Sequence, residues 1–353
     1  MKKVFLTTIA LLSIASASVF GMYGVDSGWI NFLTHGNQFR ARLDQLGFTL
    51  GNDTIKGTFG FNNNAGYGGV YGDLLSTANG GITYDFKPSI SMGLGYTSSL
   101  ISVGVGYNAT IGTDYKGGGK SYNPVAHTPV LVLNAMDNAF RMAIPIQVYA
   151  DGNTNAVSVD SQFRYYTGLD MFPEIRLYLR YGSFTTKTGG VTSKEGESFG
   201  FDFRLYFGSM VEEVALKPYV KLVYNGALGK YHDNTRVEAV KVMKKQQSGS
   251  PIIFAKNAWI LNLVAGLGLS ANSDIVSLYL EPSLGLKVNQ VGSTDKNAKE
   301  TYGLGYDVYA EIYITPLKNL EWYFEASIGN LDDNTKGVSF ASSTGITWYL
   351  PAL

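Results

Sequence analysis

Apolar and polar residues alternate with a period of two along most of the chain, over segments long enough to cross a bilayer as tilted strands. In Leu100–Ile111 the residues Ile101, Val103, Val105, Tyr107, Ala109 and Ile111 share one face, and Ser102, Gly104, Gly106, Asn108 and Thr110 share the other. The pattern recurs at Phe199–Phe207, Val276–Val288 and Tyr302–Ile314. Soluble sandwiches alternate too, but their strands are typically about 5–6 residues long, and these are longer. The reading is an all-β fold: a transmembrane antiparallel up-and-down β-barrel of about 16 strands, within a range of about 14–18. Strands are expected to begin near Phe39, Thr54, Asn79, Ser89, Leu100, Val130, Arg141, Val157, Glu174, Phe199, Ala215, Ala258, Val276, Tyr302, Leu320 and Val338.

Connections test that reading, because such barrels turn tightly at one rim and carry long loops at the other. Long segments at Gly182–Ser198, Gly226–Asn257, Asn289–Thr301 and Asn330–Gly337 interleave with short ones at Ser209–Val214, Asn272–Ile275 and Pro316–Asn319. Upstream the alternation fails, since Asn62–Ala78 falls where a tight turn belongs. Pro282 is awkward inside a ladder, because proline donates no amide. Aromatic residues near strand ends (Tyr96, Tyr107, Phe199, Trp259, Tyr302, Trp322 and Trp348) suit the headgroup level.

Composition agrees. The 353 residues include 42 glycines and 24 tyrosines, only 16 % are charged, and there is no cysteine. Lys2 and Lys3 followed by the apolar run Val4–Ala15 read as a secretory signal peptide over residues 1–21, with the mature N-terminal segment at 22–38 and the barrel at 39–353. Basic and acidic residues balance at 28 each, so nothing points to nucleic acid. No cofactor or metal motif is present in the sequence.

The candidate chemistry lies on the inward parity. Arg164, Arg176, Arg180, Asp202, Arg204, Lys217 and Lys221 fall on four consecutive strands, and Glu281, Lys287, Asp307, Glu311, Glu321 and Glu325 on three later ones. A basic arc (Arg164, Arg176, Arg180, Arg204, Lys217, Lys221) then faces an acidic arc (Glu281, Asp307, Glu311, Glu321, Glu325) across a water-filled lumen. The blander reading is that these are solvated or cross-strand paired residues without a selective role. Arg40, Arg42 and Asp44 are candidates to join the wall. Gly226–Asn257 either folds inward to narrow the pore or stands outside as an exposed loop. Gly196–Gly200 matches G-x-S-x-G, but that motif needs a strand–turn–helix setting and here leads into a strand.

Met22–Ile30 and Gly36–Phe48 resemble the porin-like outer-membrane barrels of the toga, the outer sheath of Thermotogales-type bacteria. That resemblance implies a channel in an outer membrane, in contact with its lipid and oligomeric, and carries no catalytic residue across. The ending Tyr349–Leu353 lacks the terminal Phe or Trp of proteobacterial porins. The function expected is passive, porin-like diffusion of ions and small hydrophilic solutes. The alternatives are a structural sheath or adhesion barrel with an occluded lumen, and an outer-membrane hydrolase using Ser198.

Overall fold

The computed structural model describes residues 23, 27–42, 45–63, 88–111, 115–117, 120–122, 125–150, 152–211, 213–229, 235–237, 239, 253–331 and 338–351. The expected leader, and the strand expected near Asn79, lie outside them. Sixteen strands form the wall. They are β1 Gln38–Arg42, β2 Gln45–Gly51, β3 Ile55–Asn63, β4 Pro88–Tyr96, β5 Ile101–Ile111, β6 Val125–Ala135, β7 Phe140–Ala150 and β8 Thr154–Leu169, then β9 Phe172–Thr188, β10 Val191–Tyr206, β11 Val214–Ala227, β12 Trp259–Asn272, β13 Val276–Gln290, β14 Thr301–Leu317, β15 Leu320–Gly329 and β16 Ser339–Tyr349. Each pairs antiparallel with its neighbours, the short strand Ser209–Val211 extends the β10 edge along β11, and β1 pairs with β16. The cylinder is closed, so no sheet edge is left bare in lipid.

The strand set differs from the expected one at the start of the wall. The chain reverses between Arg42 and Gln45, which pair with each other, so one expected strand is the hairpin β1–β2. The strand β3 pairs directly with β4. This correction removes the conflict in loop lengths. Connections 52–54, 97–100, 136–139, 170–171, 273–275 and 318–319 share one rim, and 64–87, 112–124, 228–258, 291–300 and 330–338 share the other. The segment Gly182–Ser198 is not a long loop. It is the tall β9–β10 hairpin, which turns at Gly189–Gly190, both at positive φ (58° and 85°), as a two-residue turn with the twist of a hairpin demands. At Pro282 the β13 ladder continues to β14, while toward β12 the pairing skips from Ser283 to Leu280.

The two faces separate as the alternation dictates. On β5, Ser102, Asn108 and Thr110 are buried inside, while Ile101, Val103 and Val105 are exposed outside. Outward exposure of Leu94, Val105, Leu284 and Leu304 makes a continuous apolar band, which a water-soluble protein would not tolerate. Among the expected girdle rings, Tyr96, Phe199, Tyr302, Trp322 and Trp348 stand exposed on that outer face. Val105 is 58 % exposed near the middle of β5. Val105→Arg is therefore expected to destabilise the barrel by about 2–4 kcal/mol. Denaturant unfolding in lipid vesicles reads this, and an unchanged midpoint would place Val105 outside the lipid.

Candidate functional site

Register, which sequence parity does not give, decides how the lumen charges meet. Across the inner face Arg141 of β7 pairs with Arg164 of β8, Arg164 with Arg176 of β9, Arg176 with Arg204 of β10, and Arg204 with Lys221 of β11. Five cations thus stand side by side along the hydrogen-bond direction, though like charges directly opposite one another repel. Among the described residues, three carboxylates temper the row and the cations beside it. Glu174 accepts from Arg176 Nε at 2.6 Å and Nη2 at 3.0 Å, and from Lys217 Nζ at 2.8 Å. Asp202 accepts from Arg204 Nε at 2.9 Å and Nη2 at 2.6 Å. Asp160 accepts from Arg180 Nε at 3.1 Å and from Arg236 Nη2 at 2.7 Å. Neutral rings hold the cations as well. Arg176 and Lys217 each lie 4.6 Å from the Tyr206 centroid, Arg204 lies 4.9 Å from Tyr178, and Arg141 lies 4.8 Å from Tyr166.

The acidic arc is built from β13–β15. Glu311 and Glu325 are directly opposed and almost fully buried. The Tyr309 hydroxyl donates to both, at 3.1 Å to Glu325, and Arg42 Nη1 lies 3.8 Å from Glu325 with its guanidinium over the Tyr323 ring. Glu281 accepts from Tyr279, and Lys287 donates to the Asn330 carbonyl. Glu321 pairs with Thr347, whose other neighbour is Arg40 of β1, and Asp307 pairs with Ser283. All thirteen charges expected on the inner parity sit on strands of the wall. The basic residues fall on β8–β11 and the acidic ones on β13–β15, each group bordered by charges of the other sign.

Among the described residues, three segments enter the lumen. The first precedes β1: Trp29, Ile30 and Phe32 have no exposed surface, and with Tyr23 and Leu33 they pack on Val130, Val132 and Ala143. Their seat is a patch without side chains, where Gly93 faces Gly106 and Gly95 faces Gly104 across β4 and β5. A Cβ on Gly106 would come within 2.4 Å of the Trp29 ring, and one on Gly95 within 2.4 Å of Leu33. Polar ties complete the docking. Tyr23 Oη lies 2.8 Å from His35 Nδ1 and 3.2 Å from Thr49 Oγ1, and Arg141 Nη1 donates to Thr34 Oγ1 at 3.2 Å. The second consists of residues 235–237 and 239, described parts of the connection between β11 and β12. Val237 N donates to Ser198 Oγ at 2.7 Å, and Ala239 packs on Ala126, Tyr149 and Ala156. The third is Leu331, which follows the short β15 into the interior and packs on Tyr206, Tyr219 and Val264.

Acid is expected to loosen the first segment. Burial, then the positive charges of Arg40, Lys56, Arg141 and Arg164, hold the His35 imidazole well below its ordinary value of 6.5, so it is neutral when docked. An undocked His35 takes up its proton at about pH 6.5, so docking is at full strength above that pH. It weakens by about 1.4 kcal/mol for each further unit of acid until the docked histidine itself titrates. Protease access to residues 27–37 should therefore rise between about pH 7.5 and pH 5 in the wild type, and His35→Gln should flatten the profile. Equal access at both pH values in the wild type would contradict this.

The family model of the Serpulina hyodysenteriae variable surface protein matches residues 2–349. The chain belongs to that family. This variable surface protein relative is an outer-membrane β-barrel. Among solved structures it is similar to a bacterial polysaccharide outer membrane secretin, at 9 % identity over 90 % of this chain and 97 % of that one, with a TM-score of 0.48. It is also similar to the outer membrane channel DcaP of Acinetobacter baumannii, at 7 % identity over 88 % and 95 % of the two chains, with a TM-score of 0.39. A form of OmpT, an outer membrane protein of Vibrio cholerae, with loop L8 deleted shares 10 % identity over 89 % and 96 %, with a TM-score of 0.33. No curated protein matches the chain.

In this family member Ser198 lies inside β10, buried, and its hydroxyl anchors the infolded Val237. The G-x-S-x-G spacing therefore marks a strand and not the strand–turn–helix that exposes a nucleophile. Sequence reading missed Glu174, Asp160, Arg141 and Arg236 as partners in the basic arc. Glu174 and Asp160 share the parity of Arg176 and Arg164, so they were within reach. Arg236 enters from a connection, where no parity rule applies.

Proposed function

We propose that the protein is a narrow outer-membrane channel for ions and small hydrophilic solutes. The single observation that carries this reading is the inner face, which places charged and polar side chains over much of the wall of a cylinder of a strand number that leaves an aqueous channel. Diffusion needs a sealed wall and a wet lumen and no reactive group. The basic residues Arg164, Arg176, Arg180, Arg204, Lys217 and Lys221 and the acidic residues Glu281, Asp307, Glu311, Glu321 and Glu325 line the path in this reading and set a field across it. A place in a toga-like sheath, and assembly into oligomers, rest on the N-terminal resemblance of residues 22–48 alone.

A second reading, a surface barrel with a closed interior, draws on the docked Trp29–Leu33 segment and on the infolding of Val237 and Leu331. Planar-bilayer recordings separate the two. Discrete conductance steps from wild-type protein support the channel. Silence from wild type, and from a variant lacking the docked segment, supports the closed surface barrel.

A further inference from the structure

Among the described residues of the basic arc, cations outnumber carboxylates. Eight described cations (Arg141, Arg164, Arg176, Arg180, Arg204, Lys217, Lys221 and Arg236) stand among the three described carboxylates Asp160, Glu174 and Asp202. Several are steadied by tyrosine rings, which fix a guanidinium in place without cancelling its charge. Four keep surface open to the lumen: side-chain exposure is 39 % at Arg236, 23 % at Arg204, 19 % at Arg180 and 15 % at Lys217.

Their order along the barrel adds direction. Arg236 enters beside Asp160 from the rim of long loops, Arg180 pairs with Asp160, Arg204 lies next below, and Lys217 stands near the rim of short turns. Neighbouring strands are about 4.8 Å apart, so adjacent cations in the row can grip one oxyanion between them. Guanidinium forks match the geometry of phosphate oxygens. The carboxylate pair Glu311 and Glu325 belongs to a different part of the wall, so an anion is confined to the basic side.

We propose that the inner face of β7–β11 is a binding track for multivalent oxyanions of the phosphate and pyrophosphate class, entered at Arg236 and descending through Arg180 and the neighbouring Arg204 and Lys221 to Lys217. Passage along the track rests on the channel reading above, while binding does not. Titration calorimetry of the detergent-solubilised full chain with sodium pyrophosphate tests the binding. Saturable binding that weakens with added salt is expected, and each of Arg236→Gln and Lys221→Gln should weaken it about tenfold. Arg236 lies in a connection, so its variant leaves the strand ladders intact, and heat-modifiable electrophoretic mobility verifies the fold of both. Reversal potentials in a potassium chloride gradient, with and without pyrophosphate, test the passage. Binding with no conductance upholds the track and overturns the channel. Conductance without pyrophosphate binding, or binding that neither variant weakens, overturns the track and leaves the channel standing.

Discussion

Replacing Trp29 and Phe32 together by alanine is expected to release the N-terminal segment from the lumen. Both rings are fully buried, and they meet edge to face with centroids 5.5 Å apart. Truncating one buried aromatic side chain to alanine costs about 3–5 kcal/mol in a packed interior. The four glycines of the seat have no side chains that could collapse into the space, so little of that loss is recovered. The undocked population should then rise by at least about a hundredfold. Single-channel conductance should step up, and residues 27–37 should become open to protease while the strands stay protected. Gly106→Leu reaches the same end by crowding, because its Cβ would overlap the Trp29 ring. If the segment stays protected in the double variant, hydrophobic docking is not what holds it.

The second large effect is expected at Glu174. One carboxylate serves both Arg176 and Lys217, and it is 2 % exposed. Glu174→Ala removes the carboxylate that Arg176 of the like-charged row and the nearby Lys217 both bond. Breaking a buried pair by removing one partner costs about 3–5 kcal/mol, whereas an exposed ion pair such as Lys194–Glu197 contributes at most about 1 kcal/mol. The thermal transition of folded barrel to unfolded chain, followed by electrophoretic mobility, should fall sharply for Glu174→Ala and hardly move for Glu197→Ala. Pairing Glu174→Ala with Arg176→Ala should recover part of the loss, because one of the stranded charges goes with its partner. Equal transitions for the two single variants would show that water and counter-ions in the lumen screen Glu174 as well as they screen the surface pair.

Fold class was legible because alternation forces one face toward water and the other toward lipid, and that needs no knowledge of which strands meet. The first hairpin was misread because polar and apolar residues continue to alternate through it. The trace it leaves is a slip of phase, from Phe39 and Ala41 to Leu46, Phe48 and Leu50. Individual lumen charges were legible by the same parity. Their row was not, because Arg164, Arg176 and Arg204 become neighbours only through the register of three strands. The docking of Trp29 was hidden for a related reason. Paired glycines at Gly93, Gly95, Gly104 and Gly106 look like narrow lumen positions until the strands are aligned and they merge into a single bare patch. Apolar residues at the inward positions Val130 and Val132 were the other clue, since a wall facing only water has no reason to place them there.

The seam between β1 and β16 constrains how the molecule can be assembled. Gln38 pairs with Tyr349, and the Asn37 side chain ties Gly51 to Pro351, donating to their carbonyls at 2.8 and 2.7 Å. The earliest strand to leave the ribosome therefore waits for the latest before either has both neighbours, which makes ring closure a slow, non-local step. Because the Trp29 segment joins β1 directly, it must already lie on the concave side of the growing sheet when the seam zips shut. The wall would then wrap around its own filling, and loss of that filling should hinder biogenesis as well as alter the finished barrel.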